Sequence, residues 1–306
     1  MYGIVDIGSN TIRLNIYRMN GDTPEVLMSK KDSTGLASYV RHRRMTEEGI
    51  ERATAVLSDF QGLLKAFDIE GHAFATAALR NVDNSEEAVD QISRASGMQI
   101  EVIPGEVEAE LDFVGATLGM KLSNGLLVDI GGASTELVVY HDQKILKAIS
   151  MPLGSLSMYD QHVENLLPTK KERQSIEQVV MAAIASDEDF FAGKYKKIDG
   201  ICGVGGTIRA ACKLNNDMFE LPPDNHVVNA ANVKKILKKL ENPEGDEFIS
   251  IGKMDMLLRV VPDRIRTVLP GMIILQAVIK YFKAKMIHVS YMGAREGYLY
   301  QRVLGK

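Results

Sequence analysis

The sequence predicts an α/β protein built from two related halves. Two observations support this prediction: short apolar runs typical of strands alternate with amphipathic helical stretches, and one strand–turn–strand unit occurs twice. The chain has 306 residues, which suits about two domains of ~100–200 residues each. Apolar residues make up 45% and charged residues 25% of the chain, the balance of a globular protein and not of a disordered one.

Composition and charge exclude several classes of protein. No apolar run reaches the ~18 residues of a transmembrane helix, and the N-terminus lacks the pattern of a secretory signal. The two cysteines, Cys202 and Cys212, form neither a disulfide framework nor a metal-binding spacing. We therefore expect a cytoplasmic protein with no membrane partner. The net charge of −4 argues against DNA as a partner.

Common catalytic motifs are also missing from the sequence. The six histidines never fall within one helical turn of each other, which excludes an HExxH zinc helix. No nucleophile-elbow motif and no Walker A loop occur. The run from Gly203 to Ile208 resembles a dinucleotide-binding loop until its last position, where isoleucine replaces the required glycine.

The repeated unit organises the rest of the chain. Residues 3–17 read GIVDIGSNTIRLNIY, and residues 125–140 read GLLVDIGGASTELVVY. Each segment is an apolar run ending in Asp-Ile-Gly, then small polar residues, then a second apolar segment, which predicts a strand, a tight turn and an antiparallel return strand. Asp6 thus matches Asp129, and Gly8 matches Gly131.

The position of the second copy sets the predicted domain boundary. We expect an N-terminal domain over residues 1–122 and a C-terminal domain over residues 123–306, with the last helix able to pack back on the first domain.

The remaining elements follow from periodicity and from helix start and stop signals. In the first half we predict a helix opening at Thr46, a strand over 72–79, a helix over 85–96, a strand over 99–103 and a helix over 106–119. In the second half we predict a strand over 144–151, a long helix after Thr169, a strand and turn over 200–206, a short helix from Thr207, helices near 230–240, 250–260 and 271–284, a strand over 287–290, and a last helix from Glu296.

The two Asp-Ile-Gly turns have the chemistry of phosphate-binding turns. Glycine lets a phosphate approach backbone N–H groups, and serine or threonine hydroxyls add donors. A third glycine-rich turn opens the predicted helix at Thr207, where a helix N-terminus favours anions. We predict a phosphate clamp in a cleft between the domains; the alternative is two ordinary hairpins with small turn residues. The candidate phosphate-binding residues are Gly8, Ser9, Asn10, Thr11, Arg13, Gly131, Gly132, Ala133, Ser134, Thr135, Gly205, Gly206 and Thr207.

Four segments together resemble a known family. DIGSNTIRL, DIGGASTEL, VGGTIRA and SYMGAREGYLY are similar to motifs of the exopolyphosphatase and guanosine pentaphosphate phosphatase (Ppx/GppA) family, and they are spread from residue 4 to residue 300. The resemblance implies two ribonuclease-H-like domains of the actin-like ATPase superfamily with an interdomain cleft. The chain resembles the short, two-domain members, which lack a C-terminal helical domain.

The resemblance also implies a catalytic base. Glu108, in the helix after Ile103-Pro104-Gly105, matches the family's catalytic glutamate. A carboxylate held in the first turn of a helix can orient and deprotonate a water that attacks a terminal phosphorus. The alternative is that Glu106, Glu108 and Glu110 only favour the N-terminus of their helix. Glu110 stands where the family often has arginine, which adds a negative charge beside the predicted base.

A metal site and a further phosphate ligand are implied in the same way. Asp129 and Glu136 match the positions that coordinate Mg²⁺, with Mn²⁺ as a possible substitute, and Asp6 is expected to reach the metal through water. Arg80 matches a family arginine near the scissile phosphate, and its forked guanidinium suits bidentate phosphate binding. Ala133 replaces a family glycine, and its methyl group is expected to narrow the range of substrate geometries while needing only a negative φ to be tolerated.

The expected function is Mg²⁺-dependent release of the terminal phosphate of inorganic polyphosphate, with Glu108 as general base. Guanosine pentaphosphate is the alternative substrate, and a weakly catalytic sensor of polyphosphate or of the guanosine alarmone is the alternative class. A sugar kinase or ATPase of the same superfamily is disfavoured because no adenosine-binding motif occurs. A homodimer is a further expectation. Most basic runs are expected to be solvated faces, with Arg41–Arg44 as the preferred polyanion contact; the runs are Lys30–Lys31, Arg41–Arg44, Lys194–Lys197 and Lys234–Lys239.

Overall fold

The computed structural model describes residues 1–191, 194, 195, 198, 200–241 and 250–306. These residues form two compact units: the first comprises Met1–Gly119 with Met292–Lys306, and the second comprises Met120–Tyr291. The sequence places the boundary after residue 122, whereas the chain passes from the first unit to the second after Gly119. Lys196 and Lys197, from one of the basic runs, lie outside the described residues.

The first unit is a five-stranded sheet with helices on both faces. Its strands run in the order β3-β2-β1-β6-β7, with β1 antiparallel to β2 and parallel to β6. The elements are β1 (Tyr2–Ile7), β2 (Ile12–Asn20), β3 (Thr23–Asp32), β4 (Val40–Arg41), β5 (Arg44–Met45), α1 (Glu47–Ala66), β6 (Gly71–Ala75), α2 (Ala77–Arg80), α3 (Ser85–Ser96), β7 (Ile100–Val102) and α4 (Gly105–Gly119).

The second unit repeats this arrangement in a six-stranded sheet. Its strands run in the order β10-β9-β8-β11-β13-β12, with β8 antiparallel to β9 and parallel to β11. The elements are β8 (Asn124–Ile130), β9 (Thr135–His141), β10 (Lys144–Met151), α5 (Ser155–His162), α6 (Lys170–Ala185), α7 (Glu188–Phe191), β11 (Gly200–Val204), α8 (Gly205–Met218), β12 (Val227–Asn229), α9 (Ala230–Leu240), α10 (Ile251–Val260), α11 (Val268–Phe282) and β13 (Met286–Val289).

The shared order of the first five strands confirms the predicted α/β duplication. In each unit the repeated strand–turn–strand segment forms the centre of the sheet, because its first strand pairs on one side with the return strand and on the other with a parallel strand. The turns therefore lie at the carboxyl end of a central strand, where open α/β sheets bind ligands.

Strand alternation builds two buried layers in the first unit. Ile4 and Val5 are adjacent in β1 and fully buried, and they belong to different apolar clusters because successive side chains point to opposite faces. One cluster is covered by α1 and α3. The other is covered by α4 and by the last helix, α12 (Ala294–Tyr298), which continues as a π-helical turn over Leu299–Val303.

Helix α12 packs unusually close to α4. A Cβ atom at Gly115 would lie 1.9 Å from the carbonyl oxygen of Gly293, and a Cβ at Gly297 would lie 2.0 Å from that of Leu111. Only glycine fits at these two crossings. The close contact brings the C-terminal segment against the helix that carries Glu108.

Several sequence predictions need correction. The strand predicted over 72–79 ends at Ala75, and α2 follows, because the alanine-rich run favours a helical turn in which Leu79 and Arg80 donate to the Thr76 carbonyl. Helix α8 begins at Gly205 and has 14 residues, so it is neither short nor delayed to Thr207. The sequence analysis also missed β3 and α5. No helix within the described ranges is long and apolar enough to cross a bilayer.

Candidate active site

Backbone hydrogen bonds from within the turn and from the segment after β3 stabilise the first Asp-Ile-Gly turn. Gly8 donates its N–H to the Thr11 carbonyl at 3.0 Å, which closes the turn. Two backbone N–H groups of the 3₁₀ segment that follows β3 also donate to carbonyls of the turn. These bonds run from Gly35 to Asn10 and from Ala37 to Ser9, each 3.0 Å long. Because the peptides are trans, the N–H groups paired with those carbonyls point away from this segment, as a phosphate-binding turn requires.

The second turn is built the same way. Gly131 donates to the Ser134 carbonyl at 2.9 Å, and the first residues of α5 donate to the carbonyls of the turn. A Cβ at Gly154 would lie 2.5 Å from the carbonyl carbon of Gly132, so glycine is needed where α5 meets the turn. The supporting bonds run from Ser155 to Gly131 at 2.9 Å and from Leu156 and Ser157 to Gly132 at 2.8 and 2.9 Å.

The two turns differ in the residue that faces the aspartate. Asp6 on β1 is paired across the strands with Arg13 on β2, whereas Asp129 on β8 is paired with Glu136 on β9. The first turn therefore combines a carboxylate with a guanidinium. The second brings two carboxylates to neighbouring positions, and Glu136 is 1% exposed.

A buried arginine engages the predicted metal ligand Asp6. Arg295 on α12 donates from Nη1 to Asp6 Oδ2 at 2.8 Å. Burial by itself would lower the pKa of the Arg295 guanidinium, but the carboxylates of Asp6 and Glu296 outweigh it and raise that pKa. One carboxylate oxygen of Asp6 is thus already paired with a cation inside its own unit.

The third glycine-rich turn, at Gly205 and Gly206, lies against the second Asp-Ile-Gly turn in the same unit. Gly205 adopts a left-handed backbone conformation with φ of 77°, and a Cβ there would lie 1.9 Å from Asp129 Oδ1. A Cβ at Gly206 would lie 1.9 Å from Nη2 of Arg264. The carboxylate of Asp129, the first turn of α8 and the Arg264 guanidinium are therefore immediate neighbours.

Arg264 is a candidate site residue that the sequence analysis missed. Burial and the neighbouring Arg209 lower the pKa of its guanidinium, while Asp129 and Asp263 act in the opposite direction. Arginine stays charged in proteins even with such a shift, so Arg264 brings a partly buried positive charge to the α8 N-terminus. No local motif marks this residue; it follows α10 in a short 3₁₀ segment, far in sequence from Gly206.

Glu108 and Arg80 form an ion pair in the first unit. Arg80 ends α2, which follows β6, and Glu108 lies in the first turn of α4, which follows the parallel neighbour β7. The Arg80 Nη1 atom donates to Glu108 Oε2 at 2.7 Å and to the Ile103 carbonyl at 3.1 Å. The side chains of Arg80 and Glu108 are 16% and 12% exposed. The structure thus places the predicted base beside the predicted phosphate ligand.

The second unit offers donors that fit Mg²⁺. Carboxylate oxygens are the ligands this cation prefers, and it is usually held by one or two carboxylates together with water and substrate phosphates. Asp129 and Glu136 supply those two carboxylates, and Ser150 Oγ fixes one Glu136 oxygen at 2.7 Å. Within the described residues, no group of three or more histidine, cysteine, aspartate or glutamate side chains could hold a metal. Asp129 and Glu136 would therefore supply only part of the coordination shell of a Mg²⁺ bound here.

Two predicted phosphate ligands, Thr135 and Thr207, have side chains that pack inside the protein. The Thr135 side chain is fully buried and donates its hydroxyl to the Leu153 carbonyl at 2.8 Å. Thr207 is 1% exposed, and its side chain packs beside Gly271 on α11. Both residues contribute to their turns through the backbone, since their hydroxyls point into the fold.

The preferred basic run is largely engaged with acidic residues. Arg43 pairs with Asp83 at 3.1 Å and Arg44 pairs with Glu87 at 3.1 Å, and all four side chains are more than half exposed. Such surface pairs stabilise the fold little, but they reduce the positive field of the run. The lysines of Lys234–Lys239 lie on the exposed face of α9, as expected for a solvated face.

Comparison with known proteins identifies one family over nearly the whole chain. The sequence matches the Ppx/GppA phosphatase family over residues 15–306. The chain belongs to this family. The crystal structure of the Ppx/GppA family member from Aquifex aeolicus is similar to it, with 26% sequence identity, a TM-score of 0.78, and coverage of 99% of this chain and 97% of that chain. This similarity confirms the predicted fold.

Two named Ppx/GppA relatives show the range of substrates. Exopolyphosphatase 1 of Mycobacterium tuberculosis is 30% identical over 158 residues, which cover 50% of this chain and 46% of the relative. Guanosine-5'-triphosphate,3'-diphosphate pyrophosphatase of Aliivibrio fischeri is 25% identical over 311 residues, which cover 98% of this chain and 59% of the relative. The chain thus spans about half the length of these relatives. Family membership confirms the predicted enzyme class, a phosphatase acting on phosphoanhydride bonds.

Proposed function

We propose that this Ppx/GppA protein is an exopolyphosphatase that releases the terminal phosphate of inorganic polyphosphate, with Glu108 as general base and Mg²⁺ held by Asp129 and Glu136. The observation that carries the proposal is the ion pair of Glu108 with Arg80, because it joins a carboxylate base to a phosphate-binding guanidinium. We also propose that Mn²⁺ can replace Mg²⁺ and that the enzyme works in the cytoplasm. The predicted position of the substrate, between the two halves, stays a prediction.

The side chains of the first unit account for the attack step. Arg80 binds the terminal phosphoryl group, and Glu108 orients a water molecule and accepts its proton as the new oxygen–phosphorus bond forms. The shortened polyphosphate leaves with the bridging oxygen. Backbone N–H groups of the Gly8 turn bind further phosphate oxygens.

The side chains of the second unit account for charge neutralisation. A Mg²⁺ ion, when bound, stabilises the negative charge that develops on the phosphate oxygens. Asp129 and Glu136 would hold it, and the Gly131 turn and the α8 N-terminus bind the phosphates that follow. Arg264 adds a fixed positive charge beside Gly206.

Guanosine pentaphosphate is the second candidate substrate. The Aliivibrio fischeri relative, which is named for this substrate, aligns with 98% of this chain. The 5'-triphosphate of guanosine pentaphosphate would present the same kind of phosphoanhydride end to Arg80 and Glu108.

Phosphate release from three substrates in parallel tests the proposal: long-chain polyphosphate, tripolyphosphate and guanosine pentaphosphate, each with and without Mg²⁺. We expect the highest kcat/KM for a polyphosphate and no release without a divalent cation. A preference for guanosine pentaphosphate would support the second candidate. Tight binding of all three without phosphate release would contradict both and indicate a sensor.

A further inference from the structure

An arginine holds one carboxylate oxygen of the predicted base. Glu108 accepts a hydrogen bond from Arg80 at 2.7 Å, and the two side chains are mostly buried. A short charge-assisted bond in a poorly solvated site strongly favours the paired state. A carboxylate held in this way is a weaker base than one whose only partner is water. Glu108 should therefore be a stronger base once the bond between Arg80 and Glu108 is weakened.

A phosphate group of the substrate can compete with Glu108 for the Arg80 guanidinium. Glu108 carries one negative charge, whereas the end of a phosphoanhydride chain carries up to two, and a guanidinium binds phosphate in a bidentate manner. A phosphate end that reaches Arg80 therefore attracts its guanidinium more strongly than Glu108 does.

We propose that the Arg80–Glu108 pair is a charge gate, in which Arg80 holds the base until a doubly charged phosphate end binds the guanidinium and releases Glu108. This inference rests on the proposed function and adds to it a substrate criterion. Phosphoanhydride ends with two charges open the gate, and singly charged esters open it poorly. Water would then be activated only when a proper substrate end is present.

Rigid anchors on both sides make such a gate workable. Arg80 and Glu108 extend from helices that directly follow β6 and β7, which are parallel neighbours in the sheet. The Arg80 Nη1 atom also donates to the Ile103 carbonyl at 3.1 Å, a contact that does not involve Glu108. Arg80 thus keeps a backbone contact when it exchanges the carboxylate for a phosphate.

A binding cycle without turnover tests the gate. The probe is methylenebisphosphonate, which cannot be hydrolysed, and its Kd is measured by calorimetry at fixed Mg²⁺ for wild type, Glu108→Gln, Arg80→Gln and the double variant. Because Glu108 competes with the probe for Arg80, Glu108→Gln should bind it at least about fivefold more tightly than wild type, within the usual range of coupling effects. In the Arg80→Gln background, the same change should make less than about a twofold difference.

The matched control is Glu106→Gln, which removes one negative charge from the same turn of α4 at an exposed position. We expect it to change the Kd by less than about twofold. The gate is refuted if Glu108→Gln binds the probe no more tightly than wild type, or if its gain persists without Arg80. Circular dichroism and thermal unfolding establish that each variant is folded.

A second probe tests the charge criterion. The monomethyl ester of methylenebisphosphonate presents one charge fewer at its capped end. Wild type should prefer the uncapped probe by a larger factor than Glu108→Gln does, and equal preferences would contradict the gate. Failure of wild type to release phosphate from any polyphosphate would refute the proposed function instead, since the binding cycle does not depend on turnover.

Discussion

The two strand–turn–strand segments share a backbone design and differ in charge. In each, the glycine after Asp-Ile closes a four-residue turn by donating to the carbonyl of the turn's last residue, Thr11 or Ser134. In each, the chain after the third strand donates N–H groups to carbonyls of the turn. The position that faces the aspartate is Arg13 in the first copy and Glu136 in the second.

This difference is consistent with the proposal that the first turn binds phosphate and the second binds a metal ion. Arg13 stands opposite Asp6 in the first turn, whereas Glu136 stands opposite Asp129 in the second and brings two negative charges to neighbouring strands. A carboxylate accompanied by positive charge leaves the backbone N–H groups to attract an anion. Two carboxylates favour a hard cation. The residue opposite the aspartate is therefore one side-chain position at which the proposed phosphate turn and the proposed metal turn differ.

A buried arginine extends the comparison. Arg295 forms a direct ion pair with Asp6, while Arg264 lies beside Gly206 at the start of α8, close to Asp129. The pKa of Arg295 is raised by its carboxylate neighbours, and that of Arg264 is lowered by burial and by Arg209. Asp6 is compensated within the fold, so we assign the main metal-binding role to Asp129 and Glu136.

The largest predicted effect concerns the proposed base, Glu108, in the first unit. Glu108→Gln removes the proton acceptor and should lower kcat by about 10²–10⁴, the usual range for loss of a general base. Phosphate release from tripolyphosphate at saturating substrate measures it, with Glu106→Gln as the matched control. Near-normal turnover in a folded Glu108→Gln protein would exclude this residue as the base.

The next effect tests the compensation of Asp6. Arg295→Met removes the guanidinium that donates to Asp6 Oδ2 and leaves Arg13 on the neighbouring strand, so the free energy of unfolding should fall by about 1.5–3 kcal/mol. Urea titration measures this loss. Arg302→Met, at an exposed position of the same C-terminal segment, should cost less than about 0.5 kcal/mol. Equal losses in the two variants would show that the Asp6–Arg295 pair does not contribute to the free energy of unfolding.

The metal assignment makes the two copies respond differently to the same kind of substitution. Asp129→Asn and Glu136→Gln should each raise the Mg²⁺ concentration for half-maximal activity by at least about tenfold, because each removes a charged donor. Asp6→Asn should raise it less than about threefold, since Asp6 already pairs with Arg295. If Asp6→Asn has the largest effect of the three, the assignments of the two turns are reversed.

Local signals predicted much of this arrangement. The duplicated Asp-Ile-Gly segments, the helix start at Thr46 and the position of Glu108 in a first helical turn all follow from short-range patterns. Strand β3 was missed because most of its residues are exposed and it shows no apolar alternation. Family resemblance, and not the pattern itself, separated the roles of Asp6 and Asp129.

Long-range contacts account for the rest. Arg295 reaches Asp6 across nearly the full length of the sequence, and Arg264 reaches Gly206 through the packing of the segment between α10 and α11. Neither contact leaves a periodic or spaced signature in the chain. The Arg80–Glu108 pair combines two residues that the resemblance had placed near the substrate, but nothing in the sequence shows that they bind each other.

The smallest predicted effect probes the support of the second turn. Ser155 donates both its N–H and its hydroxyl to the Gly131 carbonyl, each at 2.9 Å, whereas the first turn is supported through backbone N–H groups of Gly35 and Ala37. Ser155→Ala removes the hydroxyl bond and leaves the N–H bond, so the carbonyl stays satisfied. We expect a loss of about 0.5–1 kcal/mol in the free energy of unfolding and a kcat within about twofold of wild type. Urea titration and tripolyphosphate hydrolysis measure the two quantities. A large fall in kcat with unchanged stability would mean that the Ser155 hydroxyl acts on the reaction and not on the turn, and the two turns would then differ in support as well as in charge.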